Sequence, residues 1–374
     1  MTRTIIDVHV LQTVPPSNLN RDDTGSPKTA VYGGVRRARV SSQAWKRATR
    51  KSFEALVDRG DLGLRTRQVV EMLSHRIQQV NPALAGDAEG HAKAVLEKAG
   101  FKLKAARKKG QPDESEFLLF LSERQIAALA DVAVQAAAAD DFKAALAEHD
   151  VKGLADQDHS IDIALFGRMV ANLPDLNVDA AVQVAHAISV HAVENEFDYF
   201  TAVDDHKSAD EEEDSGAGMI GTVEFNSATL YRYAALDVDR LLDNLGDAEA
   251  TRRAVATFLQ AFLTSMPTGK QTTFAHRTLP DAVLVTLGGS QPVNLAGAFE
   301  EPISGSNRPS QAAHALADHA GEVFTTYALS HDHAWVVGVG KAGDALAERG
   351  IRVGIDELVD QVAAAAAERI PASA

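Results

Sequence analysis

An α+β fold with helical insertions is predicted from two patterns in the sequence. Apolar residues alternate near the start of the chain and again after residue 180, as they do in β-strands. Alanine-rich segments typical of helices lie between and after these strands. Because strands and helices do not alternate strictly, α+β is favoured over a doubly wound parallel sheet. A length of 374 residues fits two compact units or one domain with large insertions.

Composition narrows the class of protein. Hydrophobic residues make up 45% of the chain, which is enough for a substantial core. Cysteine is absent, which excludes disulfides and thiolate chemistry and is consistent with a reducing compartment, so we expect a cytoplasmic protein. The N-terminal segment carries Asp7 and His9, so we expect no signal peptide. No apolar run is long enough to predict a membrane span.

The first elements are predicted from alternating apolar residues and from residues that favour turns and helix ends. Residues 4–14 alternate as a strand. Residues 15–35 are rich in proline, glycine, asparagine and aspartate and are predicted to form a loop. A helix is predicted over 43–59, with Ser42 as its N-cap and Gly60 as its C-terminal stop.

One segment differs sharply in charge from the rest. Residues 24–53 carry eight basic residues and no acidic residue, although the net charge of the chain is −15. A local concentration of positive charge predicts either a site for a polyanion or a solvated basic surface that binds nothing, and charge alone does not decide between them. The eight residues are Lys28, Arg36, Arg37, Arg39, Lys46, Arg47, Arg50 and Lys51.

The predicted helix has two distinct faces at 100° per residue. The polar stripe consists of Gln43, Lys46, Arg47 and Arg50. The opposite face consists of Trp45, Ala48, Thr49, Ser52 and Leu56. Such a helix can pack on a core through its tryptophan and present a basic ridge, while the free N–H groups of its first turn favour phosphate.

The remaining elements are predicted from the same patterns. For residues 182–190 a strand is favoured, with an amphipathic helix as the alternative. The predicted elements are a mostly helical region at 64–150 with an exposed basic loop at 102–111, strands at 162–170 and 182–190, a long hairpin at 198–235 with a solvated acidic tip at 204–214, a helix at 247–265, strands at 282–288 and 334–340, and a helix at 356–369.

Aromatic residues are concentrated in the predicted hairpin. A core or a ligand must cover them, because exposed rings are unfavourable in water. They are Tyr199, Phe200, Phe225, Tyr231 and Tyr233.

Several motifs resemble sites but lack an essential part. Residues 338–343 match the glycine fingerprint of dinucleotide-binding folds, but too few residues follow for the remaining strands. Gly269 and Lys270 do not form a P-loop, although Lys270 remains a candidate phosphate contact. The histidines at 331 and 333 lack the spacing of a closed metal site, and the sequence predicts neither a metal nor a cofactor.

A set of longer segments resembles one known family. The segments occur in the family's order, most clearly over residues 1–60 and 160–280. They are NLNRDD (18–23), YGGVRRARVSSQAWKRATR (32–50), DIALFGRM (162–169), AHAISVH (185–191), DYFTAVDD (198–205) and GTVEFNSATLYRYA (221–234). The chain is similar to the CasC family, the backbone subunit of Cascade, the type I-E CRISPR surveillance complex.

This resemblance implies a particular architecture. Residues 1–60 and 161–374 would form a palm with a modified RRM-like (ferredoxin-like) fold. Residues 61–160 would be a helical insertion called the fingers. Residues 197–230 would form a β-hairpin thumb.

The resemblance also implies which residues contact RNA. Arg50 stands where the family often has lysine, and Tyr199 replaces the usual tryptophan of an aromatic pair at the thumb. Met169 matches a position that packs against bases beside a kink in the RNA. The implied contacts, together with the loop lysine noted above, are Arg21, Lys28, Ser41, Gln43, Lys46, Arg50, Met169, Tyr199, Phe200 and Lys270.

The implied function is non-catalytic. Several copies would stack along one CRISPR RNA, grip its phosphates and leave its bases free to pair with target DNA. The implied partners are the RNA, target DNA through it, further copies of the chain, and the subunits CasA, CasB, CasD and CasE, without a membrane. The alternatives are a CRISPR-associated ribonuclease, which needs an acid–base pair near the RNA from His9 or His276, and a nicotinamide-dependent enzyme.

Overall fold

The computed structural model describes residues 3–106, 110–202, 219–289 and 291–370. The predicted acidic tip at 204–214 lies outside these residues, as does part of the predicted basic loop at 102–111. No helix among the described residues has the length and apolar character needed to cross a membrane.

The chain forms two compact units. The first contains residues 1–52, 184–236 and 258–365, and the second contains residues 53–183, 237–257 and 366–374. The division into palm, fingers and thumb stays a prediction, as does the RRM-like character of the palm.

Strands and helices are mixed, as the α+β prediction requires. The strands of the described residues are β1 (Ile5–Ser17), β2 (Thr29–Tyr32), β3 (Val35–Val40), β4 (Gly63–Thr66), β5 (Leu103–Lys104), β6 (Glu114–Ser115), β7 (Leu119–Ser122), β8 (Val182–Val184), β9 (Ala187–Ser189), β10 (Glu196–Ala202), β11 (Met219–Asp237), β12 (Ala282–Gly288), β13 (His331–Gly338) and β14 (Ile351–Arg352). The helices are α1 (Ser42–Ser52), α2 (Val69–Val80), α3 (Ala88–Lys98), α4 (Glu123–Ala137), α5 (Phe142–Ala147), α6 (Val151–Leu154), α7 (Ile161–Phe166), α8 (Val238–Leu245), α9 (Ala248–Thr264), α10 (Gln271–Phe274), α11 (Arg308–Thr326), α12 (Gly340–Leu346) and α13 (Ile355–Glu368).

A central sheet organises the first unit. Its strands follow one another in the order β14-β13-β12-β1-β11-β9-β3-β2. The predicted first strand is confirmed, and it pairs antiparallel with β12 from Ile5 opposite Gly288 to Leu11 opposite Ala282. The predicted long hairpin is also confirmed, because β10 pairs antiparallel with β11.

The two faces of the sheet bury different clusters. Side chains alternate along a strand, so neighbouring residues face opposite sides. Leu11 and Tyr231 pack in a cluster with α11 and Phe299. Val14 and Leu230 pack in a second cluster that contains Trp45 of α1. The sheet is therefore covered on both faces, and α1 is held on one of them.

The second unit is mostly helical, in agreement with the prediction for 64–150. Its core is formed chiefly by α2, α3 and α4, where apolar residues recur at helical spacing. Ser122 caps α4 in a capping box with Gln125. Two short antiparallel pairs, β4 with β7 and β5 with β6, accompany these helices.

Four predicted elements differ in the structure, three of them strands or loops. The strand predicted at 162–170 is wrong, because residues 161–166 form helix α7, which is buried almost all round and ends at Gly167 with φ 78°. A short apolar run has the same periodicity in a buried strand and a buried helix. The strand at 182–190 is divided into β8 and β9. The loop at 15–35 contains β2, which turns into β3 through Gly33 and Gly34 at positive φ.

The basic helix is shorter than predicted. It ends at Ser52 rather than at 59, and Ser41 rather than Ser42 precedes its first residue. Phe53 leaves the helical spiral because its fully buried ring stacks on Phe166 within the second unit. A local pattern of caps and stops cannot reveal this, since it depends on a contact between distant residues.

Candidate nucleic-acid interface

The amphipathic character of α1 is confirmed. Trp45 and Thr49 are 1% exposed and pack inward. Gln43 is exposed, and Lys46 and Arg50 are partly exposed on the other side of the helix. The helix thus presents a polar, basic surface from its first turn to its last, as its periodicity predicts.

Lys46 lies in a partly dehydrated environment. Burial lowers the pKa of its amine below the usual range, because the charged form loses part of its hydration. A phosphate oxygen at this position would restore the lost stabilisation of the positive charge. The residue is therefore better suited to bind an anion than a fully solvated lysine.

A buried arginine supports the helix from below. The guanidinium of Arg232 lies 3.7 Å from the centroid of the Trp45 ring and 4.5 Å from that of Phe262. Its Nη1 donates a hydrogen bond to Gln12 Oε1 at 2.6 Å, and its Nη2 donates to the carbonyl of Phe262. Burial lowers the pKa of Arg232 to about 9, so the group stays positive at neutral pH and adds to the potential around α1.

Asn20 joins the helix start to the loop before it. Its side-chain oxygen accepts a hydrogen bond from the backbone N–H of Ser41 at 2.9 Å, and its carbonyl accepts one from the N–H of Lys28 at 2.9 Å. Arg21 pairs with Pro27 across the same loop. The structure therefore brings Arg21, Lys28 and the start of α1 into one locality. The Ser41 hydroxyl accepts from Ala44 N–H and caps the helix.

The base of the hairpin is tied to the same loop. The carboxylate of Glu224 accepts hydrogen bonds from Ser26 Oγ at 2.8 Å and from Asn195 Nδ2 at 3.1 Å. Asn18 Nδ2 donates to the carbonyls of Glu224 and Gly25. These polar contacts hold the loop of Arg21 and Lys28 against β11. No local sequence pattern predicts this role for Glu224, Asn18 or Asn195.

If this surface binds RNA as the resemblance to the CasC family implies, replacing Glu224 by alanine is expected to weaken RNA binding about fivefold. Losing its hydrogen bonds loosens the loop of Arg21 and Lys28 at a cost of about 1 kcal/mol. Loss of the negative charge would by itself strengthen RNA binding, whereas loss of the hydrogen bonds weakens it. The sign of the measured change in affinity therefore separates the two effects. Fluorescence anisotropy with single-stranded RNA measures the result. Glu196→Ala, an exposed acid on β10, is the matched control, and tighter binding by Glu224→Ala would contradict the positioning role.

The loop of Lys270 packs against this region. A Cβ atom at Gly269 would lie 2.4 Å from the carbonyl oxygen of Leu19, so only glycine allows the two backbones to approach this closely. Lys270 itself has φ 53°, a left-handed conformation, at the start of α10. The predicted phosphate contact thus lies beside the loop that carries Arg21.

Aromatic residues are exposed along the hairpin. Tyr199 is 63% exposed and Phe200 is 40% exposed on β10. Phe197, which shares the face of Tyr199 in the strand, is 68% exposed and was not singled out from the sequence. Tyr231 and Tyr233 are buried in the core instead. Exposed rings on a hairpin are suited to stack on bases.

Met169 belongs to the second unit. Its side chain is 80% exposed, while Arg168 and Val170 on either side are 5% and 3% exposed. Arg168 is anchored by Nε donating to the carbonyl of Leu176 at 2.8 Å and by Nη2 bonding to Asp156 at 2.8 Å. An exposed apolar side chain on a segment held by these hydrogen bonds is suited to insert between stacked bases.

Two arginines of the basic segment have structural partners. Arg37 is fully buried and donates to the carbonyls of Ser189, Phe299 and Tyr32. It therefore does not contribute to the surface that the charge count predicted. Arg39 is partly exposed and lies 3.0 Å, through Nη1, from His186 Nδ1.

The histidines weighed for acid–base chemistry are buried. His9 is 1% exposed, and burial lowers its pKa to about 3, so it stays neutral. Its Nδ1 is hydrogen-bonded to Tyr231 inside the core. His276 is also 1% exposed. Among the described residues there is no group of three or more acidic or histidine side chains placed to hold a metal ion.

Comparisons with known proteins agree with this geometry. The sequence matches the family model described as CT1975-like protein over residues 6–361. A chain of a structure named "CRISPR RNA-guided surveillance complex, pre-nicking" is 36% identical, with a TM-score of 0.83, and the match covers 97% of this chain and 100% of that one. A chain of a "CRISPR RNA-guided surveillance complex" is 32% identical, with a TM-score of 0.73, over 96% and 99% of the two chains.

Among curated proteins, none matches the chain in sequence. The family match covers nearly the whole chain, and both structural matches exceed 30% identity over almost their full length. The chain therefore belongs to the CT1975-like family of Cas proteins.

Proposed function

We propose that this Cas protein is a non-catalytic, RNA-binding backbone subunit of CasC type in a type I-E Cascade complex of the cytoplasm. The observation that carries the proposal is the basic surface of the first unit, where α1, the loop of Arg21 and Lys28, and the loop of Lys270 lie next to one another. The similarity to chains of CRISPR RNA-guided surveillance complexes supports a guide RNA as the polyanion.

The chemistry of this surface suits a protein that must accept any guide. Lys46 and Arg50 would neutralise phosphates, and Gln43 would hydrogen-bond phosphate or ribose. None of these contacts reads a base edge, so the bases remain available to pair with target DNA. Ser41 would act through the helix start, since its hydroxyl serves as the cap.

The exposed apolar groups complete the proposal. Tyr199 and Phe200 on the thumb hairpin and Met169 in the second unit would interrupt base stacking at regular intervals as copies follow one another along the RNA. The palm, with its RRM-like fold, and the helical fingers would supply contacts to further copies and to the subunits CasA, CasB, CasD and CasE.

A ribonuclease is disfavoured by the burial of His9 and His276, which leaves neither side chain access to a phosphodiester. The absence of catalysis is tested by incubating labelled guide RNA and its complement with the protein, with and without Mg²⁺. If RNA cleavage activity remains with the protein through purification and is lost when this chain is mutated, the proposal is contradicted.

The salt dependence of RNA binding tests the proposal directly. If each subunit neutralises about four phosphates, log K is expected to fall with log salt at a slope near −3, from roughly −0.7 per contact on a single strand. Anisotropy titrations with several unrelated RNA sequences should give the same slope and similar affinities. Binding confined to one sequence, or a slope near zero, would overturn the proposed function.

A further inference from the structure

An open cleft of about 740 Å³ lies beside the interface described above. It is lined by Thr268, Lys270, Gln271, Thr272, Ala275 and Arg277. Lys270 is assigned to the interface above, but Arg277 is not. Among the described residues, the lining of the cleft comprises two cations and three side chains that can donate hydrogen bonds, and no acidic residue.

The two cations of the cleft face no counter-charge from the residues that the structure describes. Within the described part of the chain, neither Lys270 nor Arg277 forms an ion pair. Arg277 is exposed, and Lys270 is partly exposed. Two like charges that face one cleft repel each other, and an anion between them would replace this repulsion with two attractions.

The backbone holds Arg277 in place. His276, on one side of it, is 1% exposed and donates from Nε2 to the carbonyl of Pro267 at 3.2 Å. Thr278, on the other side, donates from Oγ1 to the carbonyl of Thr13 in β1 at 2.8 Å. The arginine is thus an exposed residue between two anchored neighbours, so its backbone is already ordered before binding and only side-chain entropy is lost when it binds.

The other wall of the cleft is equally constrained. The short helix α10 is bounded by two non-glycine residues in the left-handed region, Lys270 at φ 53° and Ala275 at φ 46°. Such conformations persist only where the surrounding structure enforces them, and they concentrate at functional sites. Gly269 fits closely against Leu19, which joins the cleft to the loop of Arg21.

We propose that Arg277 and Lys270 together bind one phosphodiester of a nucleic-acid strand that runs past α1, an inference that rests on the proposed function. Arg277 would take two oxygens of the phosphate with its planar guanidinium, and Lys270 would act as a point charge. Thr268, Gln271 and Thr272 are placed to hydrogen-bond the remaining oxygens or the sugar. The phosphate comes either from the guide RNA or from the DNA strand paired with it.

The test compares Arg277→Ala with Arg277→Lys and with a matched control, Lys341→Ala, an exposed cation of the same unit. Arg277→Ala is expected to weaken binding of single-stranded RNA about fivefold and to make the salt slope shallower by about 0.7, the loss of one contact. Arg277→Lys is expected to keep the slope, and Lys341→Ala to change neither quantity. Equal melting temperatures show that each variant is folded.

A second arm separates the sources of the phosphate. Complementary single-stranded DNA is added to the preformed complex of protein and guide RNA, and its affinity is measured. A loss confined to this step assigns the cleft to the DNA strand and still supports the proposal.

Other outcomes overturn the inference. If Arg277→Ala behaves as Lys341→Ala does while substitutions in α1 weaken RNA binding, the cleft is not a phosphate site, although the proposed function stands. If Arg277→Ala weakens only self-association in the absence of nucleic acid, the cleft binds an acidic protein surface instead. If the unaltered protein does not bind RNA, the proposed function itself fails.

Discussion

Replacing Lys46 and Arg50 together by alanine is expected to weaken binding of guide RNA by about 100-fold. Each charge-assisted contact to phosphate contributes about 1.5 kcal/mol, and about 3 kcal/mol corresponds to two powers of ten in affinity. The effect should be large for Lys46 in particular, because its amine is already partly dehydrated in the free protein. The loss should be equal for guides of unrelated sequence, since contacts to phosphate do not depend on the identity of the base.

The matched control removes two positive charges elsewhere. Arg65 and Lys143 are exposed residues of the second unit, and their double replacement by alanine changes the net charge by the same amount. Anisotropy titrations over a range of salt concentrations should show a slope that is shallower by about 1.4 for the α1 variant and unchanged for the control. A similar loss in both variants would mean that only net charge matters and that α1 is not the binding surface.

Replacing Asp7 by asparagine is expected to stabilise the protein by about 3 kcal/mol at pH 7 and to change stability little below pH 4. Burial raises the pKa of Asp7 to about 6 from 3.8, although the hydrogen bond from Tyr233 Oη to its Oδ1 lowers it. The neighbouring His9, whose pKa burial lowers to about 3, is neutral throughout this range.

The direction follows from proton linkage. The folded protein binds the proton of Asp7 more tightly than the unfolded chain does. Protonated Asp7 therefore makes its full contribution to the free energy of unfolding below pH 3.8. That contribution is lost as the pH rises through about 6. Asparagine cannot ionise, so the difference in stability between Asp7→Asn and the unaltered protein should grow across this window and then level off.

Urea unfolding at intervals between pH 3.5 and 7.5 measures this difference. Tyr233→Phe gives an independent check, because it removes the hydrogen bond that favours the ionised carboxylate and should move the transition to higher pH. A difference that is constant with pH would contradict the assignment of a raised pKa to Asp7.

The elements that local patterns define were predicted well. Alternation predicts β1, and helical periodicity predicts the two faces of α1 around Trp45. These signals depend on residues that are near one another in sequence, so the sequence is sufficient to detect them. The resemblance to a Cas protein depends on longer segments, and the family match over residues 6–361 confirms it. The CasC type stays a prediction.

Contacts between distant parts of the chain were not predicted. The strand predicted at 162–170 is wrong, because burial on all sides of the helix at 161–166 removes the periodicity that distinguishes a helix. Arg37 and Arg39 lie two residues apart and share the same basic segment, yet Arg37 is buried among carbonyl groups and Arg39 is partly exposed. No local rule separates them.

The charge and periodicity of the sequence are sufficient to predict a positively charged helix in an acidic chain and to predict that this helix packs through Trp45. The residues that surround that helix are known only from the tertiary structure. Arg232 beneath Trp45, Asn20 at the helix start and Glu224 at the base of the hairpin are placed by hydrogen bonds and ring contacts between residues far apart in sequence. Charge and periodicity are read from residues that are neighbours in sequence. A binding surface is formed by burial and hydrogen bonding between residues that are distant in sequence.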